Sequence, residues 1–179
     1  MVVTAIYFEG DTTGNKANGF VSVGSPVASF FDSNGSGLEV DNFGNQGIGQ
    51  ALANNGDDAG FLQIKFSQIE NMIQLSFGND DPCCIGVGGK GHLTVFLGNV
   101  QVGQADTVVN RDDIMNQTVG ISGVAFDEAR FQYIEANNSP SNLIEVVDNI
   151  TFDRVPEPAS IALLGLGLAG LGFGRRKQA

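Results

Sequence analysis

The chain has 179 residues, enough for one domain of ordinary size and a short appendage. It carries 20 acidic and 9 basic side chains, for a net charge of −11. This excess of acid argues against nucleic-acid binding, which needs Lys and Arg to neutralise phosphate. With 25 Gly and 13 Phe but few charged residues, the composition favours β structure over both helix and disorder.

Short apolar runs that alternate with polar residues predict ten β-strands, separated by Gly, Asn and Asp. In Gly60–Phe66, for example, Leu62, Ile64 and Phe66 share one face. The predicted strands are, in chain order, Val3–Glu9, Gly19–Val23, Val27–Phe31, Leu38–Asp41, Gly60–Phe66, Met72–Phe77, His92–Leu97, Val119–Val124, Arg130–Ile134 and Leu143–Phe152. This spacing predicts an all-β, antiparallel jelly-roll β-sandwich over residues 1–154.

Residues 155–179 differ in composition from the rest of the chain. The segment contains, in order, Pro156, Glu157 and Pro158, an apolar run at residues 159–174, and the bases Arg175, Arg176 and Lys177. Sixteen helical residues span about 24 Å, short of the ~30 Å hydrocarbon core, but flanking bases can lengthen the span. We therefore expect a short transmembrane helix with a cytoplasmic C-terminus, and a C-terminal core helix is the alternative.

This order of motif, apolar span and terminal bases resembles the PEP-CTERM sorting signal. The resemblance implies export by a Gram-negative bacterium and recognition by an exosortase, a membrane cysteine protease-transpeptidase. It also implies a transient inner-membrane anchor, followed by release to the cell surface or the surroundings. Such proteins normally begin with a secretory leader. Residues 1–9 have neither a basic start nor a long apolar stretch, so we expect the true start to lie upstream.

The body is similar to jelly-roll carbohydrate-binding modules and to the bodies of many PEP-CTERM proteins. The similarity rests on Phe8-Glu9-Gly10 near the start and on the segment 148–152, Asp-Asn-Ile-Thr-Phe, near the end. In related carbohydrate-binding jelly rolls, an acid near the first strand and an acid in the last strand help to bind a structural Ca²⁺. The resemblance therefore implies a calcium site at Glu9 and Asp148, with Asn18 and backbone carbonyls as further hard oxygen ligands.

The last predicted strand supports this site from its own pattern. Alternation places Asp148 on one face with four apolar residues, Ile144, Val146, Ile150 and Phe152. A carboxylate that points into a core is costly unless it is paired or bound to a metal. The alternative is an Asp148 at the rim of the sandwich, hydrogen-bonded to a loop.

Cys83 and Cys84 are adjacent, so their Cα atoms are about 3.8 Å apart, below the usual disulfide range of about 4.4–6.8 Å. A strained vicinal disulfide, free thiols and a bridge to another chain all remain open. His92, the only histidine, opens an apolar strand and is expected at the rim rather than in catalysis.

No nucleophile elbow, phosphate-binding loop or zinc-protease motif occurs in the sequence. We therefore expect a non-enzymatic, surface-sorted β-sandwich that associates with extracellular polysaccharide or biofilm matrix. A secreted hydrolase acting on polysaccharide through the same fold is the alternative. The expected partners are the exosortase, the membrane and polysaccharide.

Overall fold

The computed structural model describes residues 3–154, and these form ten antiparallel strands and two single 3₁₀ turns. The strands are β1 (Val3–Ile6), β2 (Gly14–Lys16), β3 (Ala28–Asp32), β4 (Leu38–Asp41), β5 (Ala51–Asn54), β6 (Leu62–Phe77), β7 (Lys90–Leu97), β8 (Val100–Val108), β9 (Gln117–Ile134) and β10 (Val146–Arg154). The 3₁₀ turns are Phe8–Gly10 and Gly44–Gln46. The predicted all-β antiparallel fold is confirmed.

Two long strands, β6 and β9, belong to both layers of the sandwich. One layer also contains β3, β7 and β8, and the other also contains β1, β2, β4, β5 and β10. The first part of β6 pairs with β3 and with the end of β9, whereas its second part pairs with β10 and with the start of β9. The register shifts between Lys65 and Glu70, where the change of partners occurs. The hydrogen-bonded order is β2-β4-β5-β10-β6-β9-β7-β8, with β1 on β10 and β3 on β6.

The core lies between these layers and is rich in phenylalanine. Phe66, from the first part of β6, packs against Phe152 of β10 with ring centroids 5.1 Å apart. Phe77 of β6 and Phe131 of β9 also pack against each other, with ring centroids 5.3 Å apart. The alternation predicted for residues 60–66 and 72–77 is confirmed, because Leu62, like every apolar residue on those predicted faces, is buried in the core. The two predicted strands are one bent strand in the structure.

The last strand departs from the predicted alternation. A bulge at Asn149, whose φ is 48°, shifts the register so that Asp148 pairs with Ser76 and Thr151 with Gln74. Before the bulge, Val147 faces the main core. The prediction that these alternate residues share one face is therefore wrong. Ile150 and Phe152 lie in the main core. Ile144, Val146 and Asp148 lie on the side away from it.

Three strands were not predicted, and one predicted strand does not form. The strands that were missed are β2, β5 and β8. In β5, Ala51-Leu52-Ala53-Asn54 is wholly buried but has no β-branched residue to indicate a strand. Residues 19–23 form only an isolated bridge between Phe20 and Phe30.

Cys83 and Cys84 are joined by a disulfide bond in an exposed loop. Arg111, in the connection between β8 and β9, holds this loop in place. Its guanidinium donates to Pro82 O at 2.7 Å and to Ile85 O at 3.0 Å. Of the three states that the sequence left open, the structure has the vicinal disulfide.

Within residues 3–154, no helix has the length and hydropathy needed to cross a membrane. The helix predicted at residues 159–174, the Pro-Glu-Pro motif and the three terminal bases lie outside the described residues.

Candidate functional site

Asp148 is a buried carboxylate without a hydrogen-bond donor of normal geometry. It is 0% exposed, and within residues 3–154 neither side-chain oxygen accepts a hydrogen bond of normal geometry, although the backbone N–H of Asn149 is close. β10 is flanked by β5 up to Val147 and by β1 from Ile150, so Asp148 lies at the break between these two neighbours. The bulge thus places an unsatisfied acid at a gap in the sheet.

Burial raises the pKa of Asp148 from 3.8 to about 7. In this raised value, the backbone N–H of Asn149 favours the charged form and opposes the rise, whereas the nearby carboxylate of Glu9 adds to it. Glu9 is exposed and lies in the 3₁₀ turn that directly follows β1. Because β1 pairs with β10, Glu9 lies close enough to Asp148 to raise the pKa of that acid, and these are the two acids that the sequence predicted as ligands.

Backbone carbonyl oxygens lie in the same turn as Glu9. The side-chain amide of Gln50 contacts Phe8 O at 2.8 Å and Asp11 O at 3.0 Å, and it donates to both when its nitrogen faces them. In the part of the chain that the structure describes, no three His, Cys, Asp or Glu side chains form a metal-binding group. A Ca²⁺ here would use two carboxylates and neutral oxygens, which suits a hard cation.

Asn18 is not brought together with the two acids. Its Nδ2 donates to Asp32 O at 3.1 Å, and its Oδ1 accepts from Asp32 N at 2.7 Å. Both ends of this amide are therefore used to connect the loop after β2 to the end of β3.

A second group of candidate side chains covers the outside of the layer formed by β6, β9, β7 and β8. On these strands Ile64, Ala129, Phe131 and Val95 face the core, so the alternate residues face outward. We name this surface the polar sheet face. It consists of Gln63, Lys65, Glu128, Arg130, Gln132, His92, Thr94, Phe96, Gln101, Gln104 and Asp106.

Arg130 lies at the centre of the polar sheet face between two aromatic rings. Its guanidinium carbon is 4.0 Å from the ring centroid of Phe96 and 4.9 Å from that of Phe61. Its Nε donates to Glu128 Oε1 at 2.6 Å, and the Glu128 side chain is only 9% exposed. Stacking on both sides and a charge-assisted hydrogen bond fix the plane of the guanidinium.

Charged groups elsewhere on this face are also paired. His92 Nδ1 lies 2.5 Å from Asp106 Oδ1, and Lys90 Nζ lies 3.2 Å from Asp106 Oδ2. Burial alone would raise the pKa of Asp106. The hydrogen bonds and charge interactions with His92 and Lys90 outweigh burial, so the pKa is lowered. Lys65 stacks over the ring of Phe31 at 5.1 Å.

Two shallow depressions lie side by side on this layer. One, of about 240 Å³, is lined by Phe61, Thr94, Phe96, Gln101, Arg130 and Gln132. The other, of about 250 Å³, is lined by Lys65, Phe66, Gly98, Asn99, Asp127 and Glu128. Glu128 pairs across the sheet with Phe96, so the two depressions share a border. Together they offer apolar rings, amide groups and paired charges on a rigid sheet.

The sequence analysis missed this surface. Each strand shows only an ordinary alternation of apolar and polar residues, and the polar set is assembled by register between distant strands. The only indication in the sequence was that Arg130 and several separate glutamines occupy polar positions of the alternating pattern. Without the pairing of strands, these residues could not be placed beside Phe96.

Comparison with solved structures gives β-sandwich neighbours of low similarity. A fucose-binding module from Streptococcus pneumoniae is 11% identical, with a TM-score of 0.39, over 59% of this chain and 72% of that chain. A family 32 carbohydrate-binding module from C. perfringens, solved with galactose, is 11% identical, with a TM-score of 0.37, over 84% and 98%. A DUF4465 family protein from Bacteroides caccae is 13% identical, with a TM-score of 0.48, over 87% and 100%. TM-scores this low carry no functional argument.

No curated protein matches the sequence. A profile of the PEP-CTERM protein-sorting motif matches residues 154–177. The motif implies export from a Gram-negative bacterium, exosortase processing and membrane anchoring. The predicted sorting signal is thus confirmed, and the chain carries a PEP-CTERM motif behind an all-β body.

Proposed function

We propose that this exported protein is a non-enzymatic, surface-sorted β-sandwich that binds extracellular polysaccharide through the polar sheet face. The observation that carries the proposal is the guanidinium of Arg130, fixed between Phe61 and Phe96 and bonded to Glu128. Aromatic rings pack against the apolar faces of sugars, while a paired acid and base offer an acceptor and donors to sugar hydroxyls. Ligand sites commonly combine apolar walls with a few fixed polar groups in this way.

A glycan array with the full-length protein tests this proposal, in a detergent that has no sugar headgroup. Arg130→Gln should lower binding to every glycan that the native protein retains, because glutamine keeps a polar group but loses the planar donor. Lys16→Gln is the matched control, since Lys16 also stacks over a phenylalanine, Phe20, but lies on β2. Equal binding by the native protein and Arg130→Gln would contradict the proposal.

A secreted hydrolase remains the alternative function on this fold. The same glycans, incubated with the protein and assayed for new reducing ends, distinguish the two. Retention without new reducing ends supports the binding protein. Release of reducing ends that is lost in Glu128→Gln would identify a hydrolase, because glycosidases work through carboxyl groups.

A structural Ca²⁺ at Glu9 and Asp148 forms part of the proposal. Its support is that Asp148 is fully buried, has no hydrogen-bond donor of normal geometry and lies near a second carboxylate. The ion would connect the turn after β1 to the bulge of β10, while backbone carbonyl oxygens supply the remaining ligands.

The finer sorting steps are also proposed. Residues 159–174 span the inner membrane with the C-terminus in the cytoplasm, and an exosortase cleaves near the Pro-Glu-Pro motif. The body then reaches the cell surface and associates with biofilm matrix. Support comes from the apolar run and from the three bases that end it, because basic residues stay on the cytoplasmic side.

A further inference from the structure

One depression lies on the polar sheet face, and the other lies at its border beside the turn between β7 and β8, where Lys65 and Glu128 of the face meet Gly98 and Asn99. Glu128 lines one depression and Arg130 the other, and residues two apart on a strand are separated by about 7 Å. This separation is on the order of one sugar ring. Neither depression is a deep pocket that could enclose a chain end, because both are shallow hollows on a sheet.

The groups at these depressions balance in charge. Their linings contain two bases, Lys65 and Arg130, and two acids, Asp127 and Glu128, and Arg130 is bonded to Glu128. Lys65 pairs across the sheet with Glu128, and Asp127 accepts from Gly98 N at the tip of the β7–β8 hairpin. The surface therefore has little net charge, on a body whose residues 1–155 carry 19 acids and 6 bases.

This balance selects the chemistry of the occupant. An acidic polysaccharide would meet no net positive charge here and would be repelled by the rest of the protein. A neutral, hydroxyl-rich chain needs no opposite charge, and it can accept from Arg130 and Lys65 and donate to Glu128. Charge complementarity therefore favours a neutral glycan.

On the basis of the proposed carbohydrate binding, we propose that the polar sheet face binds the interior of a neutral polysaccharide chain, with successive sugars in the two depressions. The second depression is rigid, because the two-residue turn Gly98-Asn99 has positive φ at both positions, as a tight hairpin requires. Lys65 and Asn99 then contact the sugar next to the one at Arg130.

Affinity electrophoresis of the full-length protein tests this inference. The gels contain hydroxyethyl cellulose, laminarin, mannan or galactan as neutral polymers, and alginate, pectate or hyaluronate as acidic ones. We expect retardation by at least one neutral polymer and by none of the acidic ones. Calorimetry with oligosaccharides of the retarding polymer should show at least tenfold tighter binding of the hexasaccharide than of the monosaccharide.

Variants assign this gain to the second depression. Lys65→Ala and Asn99→Gly should each weaken hexasaccharide binding at least threefold, whereas Lys16→Ala should not; glycine removes the Asn99 side chain and keeps the positive φ of the turn. Thermal melts exclude misfolding as the cause, since Lys65 is exposed and Asn99 lies in the hairpin turn. Equal affinity for monosaccharide and hexasaccharide, or retardation by acidic polymers alone, would overturn this inference and leave carbohydrate binding intact. Retardation by no polymer, with no array signal, would overturn both.

Discussion

Replacing Asp148 by Asn separates the two explanations for the buried acid. Asparagine keeps the shape of the side chain but removes its charge and its strength as a calcium ligand. In the structure the carboxyl group is fully buried, and its pKa is raised from 3.8 to about 7. That displacement corresponds to at most about 4 kcal/mol of unfolding free energy across the pH range between the two values.

The sign of the pH dependence follows from the raised pKa. Below about pH 4 the carboxyl group is protonated in both the folded and the unfolded state. As the pH rises toward 7, the unfolded chain releases a proton that the folded chain keeps, so stability without metal falls. Calcium requires the deprotonated acid, so its stabilising effect should instead be small at pH 5 and large at pH 8.

The assay is a thermal melt of the full-length protein in excess calcium and in chelator, at pH 5 and pH 8. A hundredfold excess over Kd stabilises the fold by about 2.7 kcal/mol, which raises Tm by about 5–10 °C in a domain of this size. Asp148→Asn should abolish this response and flatten the pH dependence in chelator. Asp153→Asn, at another buried acid of β10, is the control and should keep the calcium response.

Equal melting temperatures of the native protein in calcium and chelator at pH 8 would refute the calcium site. If Asp148→Asn destabilises the protein equally in both conditions, Asp148 has a structural role without metal. A calcium response that survives in Asp148→Asn would place the ion elsewhere.

Three further predictions concern other parts of the chain. Glu145 is bonded to Asn54, and burial raises its pKa to about 9. The unfolding free energy should therefore fall as the pH rises from about 4.5 to 9. Glu145→Gln should flatten that part of the pH profile in urea titrations. Gly78→Ala should lower the unfolding free energy by about 1–3 kcal/mol in the same titrations, because a Cβ at Gly78 would lie 2.3 Å from the Cα of Met115; an unchanged midpoint would refute this packing. Changing Arg175, Arg176 and Lys177 to Glu should impair membrane retention and processing, and unchanged fractionation and gel mobility would contradict the proposed topology.

Much of the fold could be predicted because a strand that is buried on one face has alternating apolar and polar residues in its sequence. Alternation in residues 60–66 and 72–77 identified core residues correctly, since one face of each half of β6 lies in the core. The calcium site predicted at Glu9 and Asp148 needs the first and last strands to lie near each other, and β1 does pair with β10. The bulge at Asn149 could not be predicted, because a single inserted residue changes the face of its neighbours without changing the composition.

The candidate site could be predicted only in part, for a related reason. Glu9 and Asp148 were chosen from a family resemblance and from the pattern of the last strand. The fold places Glu9 close enough to raise the pKa of Asp148, and calcium binding there stays a prediction. Arg130 was not identified because its environment comes from Phe61 and Phe96, which belong to other segments of the chain. Such contacts depend on register between strands, which sequence alternation does not specify.

The position of β10 determines how the body responds to mechanical load. This strand directly precedes the sorting motif, and it is hydrogen-bonded to β6 on one side and to β1 and β5 on the other. A pull transmitted from residue 155 acts along β10, whereas its hydrogen bonds run across the strand. Many bonds on both sides must therefore shear together before the strand slides, and a tether at this point resists extraction better than one on an edge strand that can be unzipped bond by bond.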